Sequence, residues 1–305
     1  MTRNTRQAAV YFLSALALAG TLSITASSAQ QAEWAAVPEP PAQLLAEHRR
    51  LFVALDALKP QQPATVDAYV VVVALDGDPV FNREAREAGR VLSARFDAAG
   101  RTIVLANDQG NDKAAGPGSP ETLALALARV AELMDLNEDV LILYSTSHGE
   151  PDVGLVYKDL RRGAGVISPP RLASMLSSLG IGNRLLILQA CFAGQFVPAL
   201  KGRSTIVVTA AAADRSSFGC QAGNDWTFFG DALINHAFRQ PLPLDVQLQR
   251  ASALIAAAEG RERLTPSNPQ VSTGSDTAKW LSRLQEREPK STSEPVGQSV
   301  LGLGR

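Results

Sequence analysis

Cysteine, histidine, aromatic residues and excess charge are all scarce in this chain, and each shortage narrows what it can do. Two cysteines in 305 residues make neither a disulfide framework nor a four-thiolate zinc site. Three histidines (His48, His148 and His236) allow a mixed zinc site at most, so a metal centre would have to lean on carboxylates. Aromatics are only 6% of the residues, which argues against a platform for stacking bases or sugars. With 29 Lys plus Arg against 30 Asp plus Glu, the formal charge is −1. That balance excludes a broad basic footprint for nucleic acid and an acidic, solvating tail. What is present in quantity is apolar: 46% of the chain, against 19% charged, enough to bury a substantial core.

Arg3 and Arg6 precede an apolar stretch from Ala8 to about Ile24, and Ser27-Ser28-Ala29 then fits a signal-peptidase site ahead of Gln30. Residues 1–29 are therefore expected to be a cleaved signal peptide, with the protein exported, periplasmic or secreted. The rival reading is an uncleaved anchor, since the run approaches the roughly 18–20 residues needed to span a bilayer. Ser14, Thr21, Ser23 and Thr25 dilute it, so no stable membrane insertion is expected after cleavage. No cysteine follows the run, which excludes a bacterial-type lipid anchor. In an oxidising compartment the two cysteines could simply pair, and that alternative stays open.

A Pro-rich joint covers residues 30–41. Amphipathic periodicity then predicts a helix from about Ala42 to Leu58, ended by Pro60. Tyr69–Leu75 is a continuous Val-rich run, the pattern of a strand buried on both faces. A helix from about Asn82 to Phe96 and a strand at Thr102–Ala106 follow, then a polar loop over Asn107–Gly118. Ser119-Pro120-Glu121 reads as N-cap, first-position Pro and first-turn acid of a helix running to about Leu136. Further strands are expected at Val140–Tyr144, Arg184–Gln189 and Ser204–Thr209. Helices are expected at Pro169–Leu179, Trp226–Phe238 and Leu244–Ala258. Strands alternating with helices mean an α/β fold, three layers with a mainly parallel sheet and right-handed crossovers. One domain over residues 42–284 and a flexible polar tail over 285–305 complete the expected organisation.

Ligands of such sheets bind beyond the carboxyl ends of the strands. Ser145-Thr146-Ser147-His148-Gly149 leaves the third strand there, and Gln189-Ala190-Cys191-Phe192-Ala193-Gly194 leaves the fourth. A lone histidine after a strand is more often a capping or core residue, and a lone buried cysteine a small hydrophobe. Together, at matching ends of consecutive strands, they form what a cysteine nucleophile and its acid/base partner require. A Cys191–Cys220 disulfide is the structural alternative.

The apolar strand ending in His148-Gly149, followed by the strand ending in Gln189-Ala190-Cys191, resembles the caspase–legumain type of cysteine peptidase. The two residues are 43 apart, near the roughly 50 of the caspase pattern, although Phe192-Ala193 replaces its Arg-Gly. The stretch Thr209–Cys220, with Ser216-Ser217-Phe218-Gly219-Cys220, and the later Phe229-Gly230-Asp231 are similar to the legumain branch. The resemblance covers about Tyr69 to Phe238 and points to a bacterial-type member of peptidase family C13 with a caspase-like fold. It implies a cysteine-type endopeptidase with a His148–Cys191 dyad and no cofactor or metal, acting on polypeptides. It further implies an oxyanion hole from the Gly149 and Cys191 N–H groups. The pocket it implies is framed by Gln189, Ser216, Ser217 and Asp231, with Arg83 in a looser alignment. Such a polar pocket favours cleavage after Asn first, since Asp231 suits the amide NH₂ of Asn and repels a carboxylate, and after Asp second. Gln189 stands where legumain-like enzymes carry an acid.

Rival readings are a transamidase of the same family, a non-catalytic caspase-like binding module, and a Mg²⁺ phosphohydrolase built on Asp76, Asp78, Asp108 and Asp112. No phosphate-cradling Gly loop accompanies those acids, and Asp-Gly and Asn-Asp loops commonly carry them as solvated turn residues. Oligomeric state is not legible.

Overall fold

The computed structural model describes residues 39–108 and 113–303; the expected signal segment, most of the 30–41 joint and Asp112 lie outside the described residues. The described chain runs α1 (Pro41–Asp56), β1 (Ala68–Ala74), α2 (Pro79–Arg95), β2 (Thr102–Leu105), α3 (Pro120–Leu133) and β3 (Val140–Thr146). Next come β4 (Gly149–Glu150), β5 (Gly154–Asp159), β6 (Gly163–Ile167), α4 (Pro169–Ser178), β7 (Arg184–Gln189), α5 (Val197–Leu200) and β8 (Thr205–Thr209). Last are α6 (Phe228–Gly230), continued by a π-helical turn (Asp231–His236), then α7 (Leu244–Glu262), β9 (Gln270–Thr273) and α8 (Ala278–Arg287).

Six of the described strands make one sheet in the order β2-β1-β3-β7-β8-β9. Every pairing from β2 to β8 is parallel, and only the edge strand β9 is antiparallel. All seven residues of β1 and all seven of β3 are buried, because helices cover both faces. On one face Val70, Val72, Ile142 and Tyr144 pack against Phe81, Ala85, Leu92, Leu233 and Ile255. On the other, Val71, Val73, Leu141 and Leu143 meet Leu51, Leu55, Leu123, Leu127 and Leu176. This is the expected three-layer α/β/α arrangement with a mainly parallel sheet. Among the described residues, no helix is long and apolar enough to cross a membrane.

Helix boundaries follow their caps. α3 starts as read, with the Ser119 hydroxyl accepting from the Thr122 N–H at 3.1 Å and Pro120 in the first turn. α2 starts three residues earlier than expected, because Asp78 takes the N-cap position and Pro79, with φ already fixed, opens the helix. A second sheet of three antiparallel strands, β4-β5-β6, was not anticipated. Gly163-Ala164-Gly165 gives its last strand no strand-like composition. β9 likewise has no apolar signature: it is an exposed edge whose one large apolar residue, Val271, is 48% exposed.

The stretch read as a flexible tail is instead a docked strap. Glu288 pairs with Arg95 at 2.6 Å, with both side chains only 4% exposed. The Val296 carbonyl accepts from the Trp226 indole at 2.9 Å, and its N–H donates to Asn235 at 2.8 Å. The Val300 N–H donates to Asp231 at 2.9 Å, and Leu301 is buried. Backbone groups do most of this holding, so a polar, Gly- and Ser-rich composition is compatible with order.

Glu84 of α2 is completely buried, and four donors face it. Its Oε1 accepts from the hydroxyls of Tyr144 at 2.6 Å and Thr146 at 2.8 Å, and its Oε2 from the N–H and hydroxyl of Thr227 at 2.9 and 2.8 Å. A Cβ at position 230 would overlap that carboxylate, so only glycine fits there. Burial pushes the carboxyl above its usual range, and the four donors oppose that shift.

Glu84→Ala strands these donors without a partner and is expected to cost at least about 3 kcal/mol in urea unfolding. Glu84→Gln is expected to cost less, because hydroxyls can turn to accept from its NH₂. Leu301→Ala is expected to destabilise by about 2–4 kcal/mol, whereas Val296→Ala, at a half-exposed side chain, should stay within about 0.5 kcal/mol. Equal and negligible effects would mean that the strap contributes nothing.

Candidate active site

β3 and β7 are adjacent and in register, with Thr146 beside Gln189 at the ends of the two strands. His148 and Cys191 each lie two residues beyond that pair. The Ser147 N–H donates to the Gln189 carbonyl at 3.1 Å, so the two chains still run together as they leave the sheet. A Cβ at Gly149 would overlap the Cys191 carbonyl oxygen, so the His-Gly loop touches the backbone of the Cys loop directly. Phe192, the residue after Cys191, has φ +57°, a left-handed conformation that costs a non-glycine residue on the order of 1–2 kcal/mol. Its N–H donates to Arg215 O at 2.8 Å, which helps to hold this sharp strand-to-helix turn.

The Cys191 sulfur sits against Ser217. The Ser217 N–H donates to Sγ at 3.3 Å, and the Ser217 hydroxyl lies 3.6 Å away. The His148 imidazole is edge-on to Phe81, with centroids 5.0 Å apart, and its Nε2 lies 3.3 Å from Asp78 Oδ2. His148 and Asp78 side chains are 41% and 46% exposed, so the site opens to solvent. Asp76, two residues earlier, is buried; its Oδ1 accepts from the Asp78 N–H at 2.9 Å. Burial pushes the Asp76 carboxyl above its usual range, offset in part by that N–H and by His148. The expectation that Asp76 and Asp78 are merely solvated turn residues is thus corrected for both: one is buried, the other faces the imidazole. Asp108 does not join them; it pairs with Arg50 and Lys113.

Both cysteines are free thiols, so the disulfide alternative is not what the structure shows. Burial, reinforced by charge on Cys191, pushes the Cys220 thiol up to about 12, with the Gln189 amide opposing.

The expected pocket residues divide. Ser217 is beside the sulfur, and Ser216 next to it is exposed. Gln189 is completely buried; its Oε1 accepts from the Ser147 N–H at 3.3 Å and lies 3.0 Å from the Thr146 hydroxyl oxygen. It ties the His strand to the Cys strand from beneath and does not line an open pocket. Asp231 is also completely buried and is turned toward the C-terminal strap, accepting from the Ser299 hydroxyl at 2.6 Å and from Val300. Hydrogen bonds from His236, Ser299 and Asn235 hold its carboxyl below the usual range despite burial. Asp231 does not serve as an open pocket residue, because its carboxylate is sealed from solvent and taken up by Asn235 and the strap. Arg83 reaches the 222–225 loop, donating to Ala222 O at 2.7 Å and to Asn224 O, with Asp225 3.5 Å from its Nε. It is therefore engaged with that loop. Arg215 lies near Asp214, at 3.8 Å. Sequence reasoning missed Asp78 as the partner of His148. The available signal was an acid directly after the first buried strand, whose neighbour in the sheet carries the histidine.

A cavity of about 800 Å³ lined by Leu44, His48, Leu51, Leu125 and Met175 includes neither His148 nor Cys191.

Among solved structures, the chain is similar to caspase-1 from Spodoptera frugiperda at 12% identity, covering 71% of this chain and 93% of that one, with a TM-score of 0.47. Comparison with curated proteins returns no match. The sequence profile of the Peptidase C13 family matches residues 121–253, a span that holds both the His148-Gly149 and the Ala190-Cys191 pieces. That match supports a cysteine peptidase-type function. Over that span, rather less than half of its length, the chain is similar to the Peptidase C13 family.

Proposed function

We propose that the protein is a cysteine-type endopeptidase working through His148 and Cys191. The observation that carries this reading is the contact between two loops leaving register-paired strands, one bearing an imidazole and the other a thiol. His148 takes the thiol proton as sulfur attacks the scissile carbonyl, and gives it to the amine as the C–N bond breaks. A water then attacks the acyl-enzyme, with His148 accepting its proton, and the thiol is restored. Asp78, on Nε2, fixes the imidazole tautomer and steadies the imidazolium that forms between the steps. The N–H groups of Gly149 and Cys191 are proposed as oxyanion donors, a role favoured by the absence of a side chain where Gly149 meets Cys191.

The substrate is proposed to be polypeptide. Ser217, beside the sulfur, and the exposed Ser216 that precedes it supply hydroxyls for a polar P1 residue. The preference for Asn over Asp rested on Asp231 and loses that support, leaving a polar P1 as the reading the geometry favours. Export, to a periplasm or the exterior, remains our proposal on the strength of Arg3, Arg6 and the apolar run that follows them.

Two measurements check this. On a peptide library varied at P1, Cys191→Ala and His148→Ala are each expected to abolish cleavage while leaving the circular dichroism unchanged. The double variant should be no worse than either single one, because the pair acts as a unit. Full hydrolysis by either variant removes the dyad, and cleavage mainly after Lys, Arg or large apolar residues removes the polar pocket. The second measurement is alkylation at pH 8. A thiol held up at about 12 is ionised in only about 10⁻⁴ of molecules at that pH, so iodoacetamide should modify Cys191 well before Cys220. Cys220→Ser is expected to retain activity. Peptide mapping that finds Cys220 labelled first would contradict this assignment.

A further inference from the structure

Asp76, Asp78 and His148 each offer one ligand atom, and the three atoms lie within 4.8 Å of one another. Proximity of two acids and a histidine would not by itself make a site. The second observation is Asp76: it is 3% exposed, and its Oδ2 is buried with no hydrogen-bond partner among the described residues. A buried carboxylate oxygen left without a donor costs free energy that a cation can relieve. We propose that these three side chains bind a divalent transition-metal ion of the zinc type, which departs from the sequence expectation of no metal.

The geometry suits such an ion. Zinc–oxygen and zinc–nitrogen bonds near 2.0–2.1 Å place tetrahedral ligands about 3.3 Å apart. His148 Nε2 and Asp78 Oδ2 are already 3.3 Å apart, so only Asp76 has to close in. Mixed imidazole and carboxylate donors suit zinc better than magnesium, which prefers oxygen and keeps its waters. Three protein ligands leave a fourth position for water, on the side where His148 and Asp78 face solvent. The backbone helps, because the Gly77 N–H donates to Lys158 O at 2.8 Å and pins the turn between the two acids. Protons are displaced as the metal coordinates: an imidazolium releases its Nε2 proton to solvent, and a neutral imidazole protonated on Nε2 shifts that proton to Nδ1.

Resting on the reading of His148 as acid and base, the bound ion would switch the enzyme off. Metal on Nε2 occupies the imidazole and takes Asp78 away from it, so His148 no longer cycles a proton.

The test is isothermal titration calorimetry of chelator-stripped, full-length protein with zinc chloride. One equivalent is expected to bind to the wild type and, within about threefold, to Cys191→Ser. Asp76→Asn and Asp78→Asn are each expected to bind at least about tenfold more weakly, with unchanged circular dichroism. Millimolar magnesium should not compete. Should Asp76→Asn fail to fold, Asp78→Asn, at a half-exposed side chain, decides the matter alone. No stoichiometric binding in the wild type overturns the site, as does undiminished affinity in the Asp78 variant. Loss of binding in Cys191→Ser overturns it in favour of a thiolate site. Zinc binding by a wild-type protein that hydrolyses no peptide even when stripped of metal counts against the peptidase reading and leaves the metal site standing. Hydrolysis unaffected by saturating zinc overturns the switch.

Discussion

A carboxylate sealed inside an apolar domain has to be answered by donors, and in this fold the answer to Glu84 sets where several elements sit. Its two oxygens draw the end of β3, through Tyr144 and Thr146, and the start of α6, through Thr227, onto α2. Losing water costs a carboxylate several kcal/mol, so the arrangement is favourable only with all four donors in place. The network does not stop there. The Thr146 hydroxyl, which donates to Glu84, also lies 3.0 Å from the oxygen of the buried Gln189 side chain, and that oxygen receives the Ser147 N–H. A chain of polar contacts thus runs from the interior carboxylate to the residue before His148 and to the strand that ends two residues before Cys191.

Above that network the site is assembled from backbone close approach more than from side-chain bonding. Gly149 lies against the Cys191 carbonyl, and Phe192 is held in a left-handed turn. Strain of that sort persists only where surrounding structure over-determines it, and here the 215 and 217 backbone groups do so. The result is a sulfur and an imidazole on rigid strand ends, with open solvent above them. Asp78 adds a carboxylate to the imidazole from a third strand end. The proposed dyad and the proposed metal site therefore share His148 and compete for it.

The periphery behaves differently. β9 completes the sheet as an exposed edge, and the C-terminal strap is held by Asp231, Asn235 and Trp226. Asp231 shows how a plausible residue is misassigned. In sequence it stands among residues similar to a pocket segment, yet one π-helical turn directs its carboxylate to the strap's N–H groups.

The buried strands were legible because a segment covered on both faces must be apolar throughout, and Tyr69–Leu75 can hardly be anything else. The cap at Ser119 was legible because its hydrogen bonds are local. The thiol and imidazole could be paired by reasoning because parallel strands put their ends on one rim. Distant partners were not legible. Nothing in the local sequence says that Glu84 meets Thr227, that Asp78 turns to His148, or that Gln189 points inward. Each depends on which way a side chain faces after helices dock, and a polar residue reads alike in a pocket, a turn or a buried network. The strap was hidden for the same reason: backbone N–H groups carry no sequence signature, and only the packed core decides whether they find acceptors.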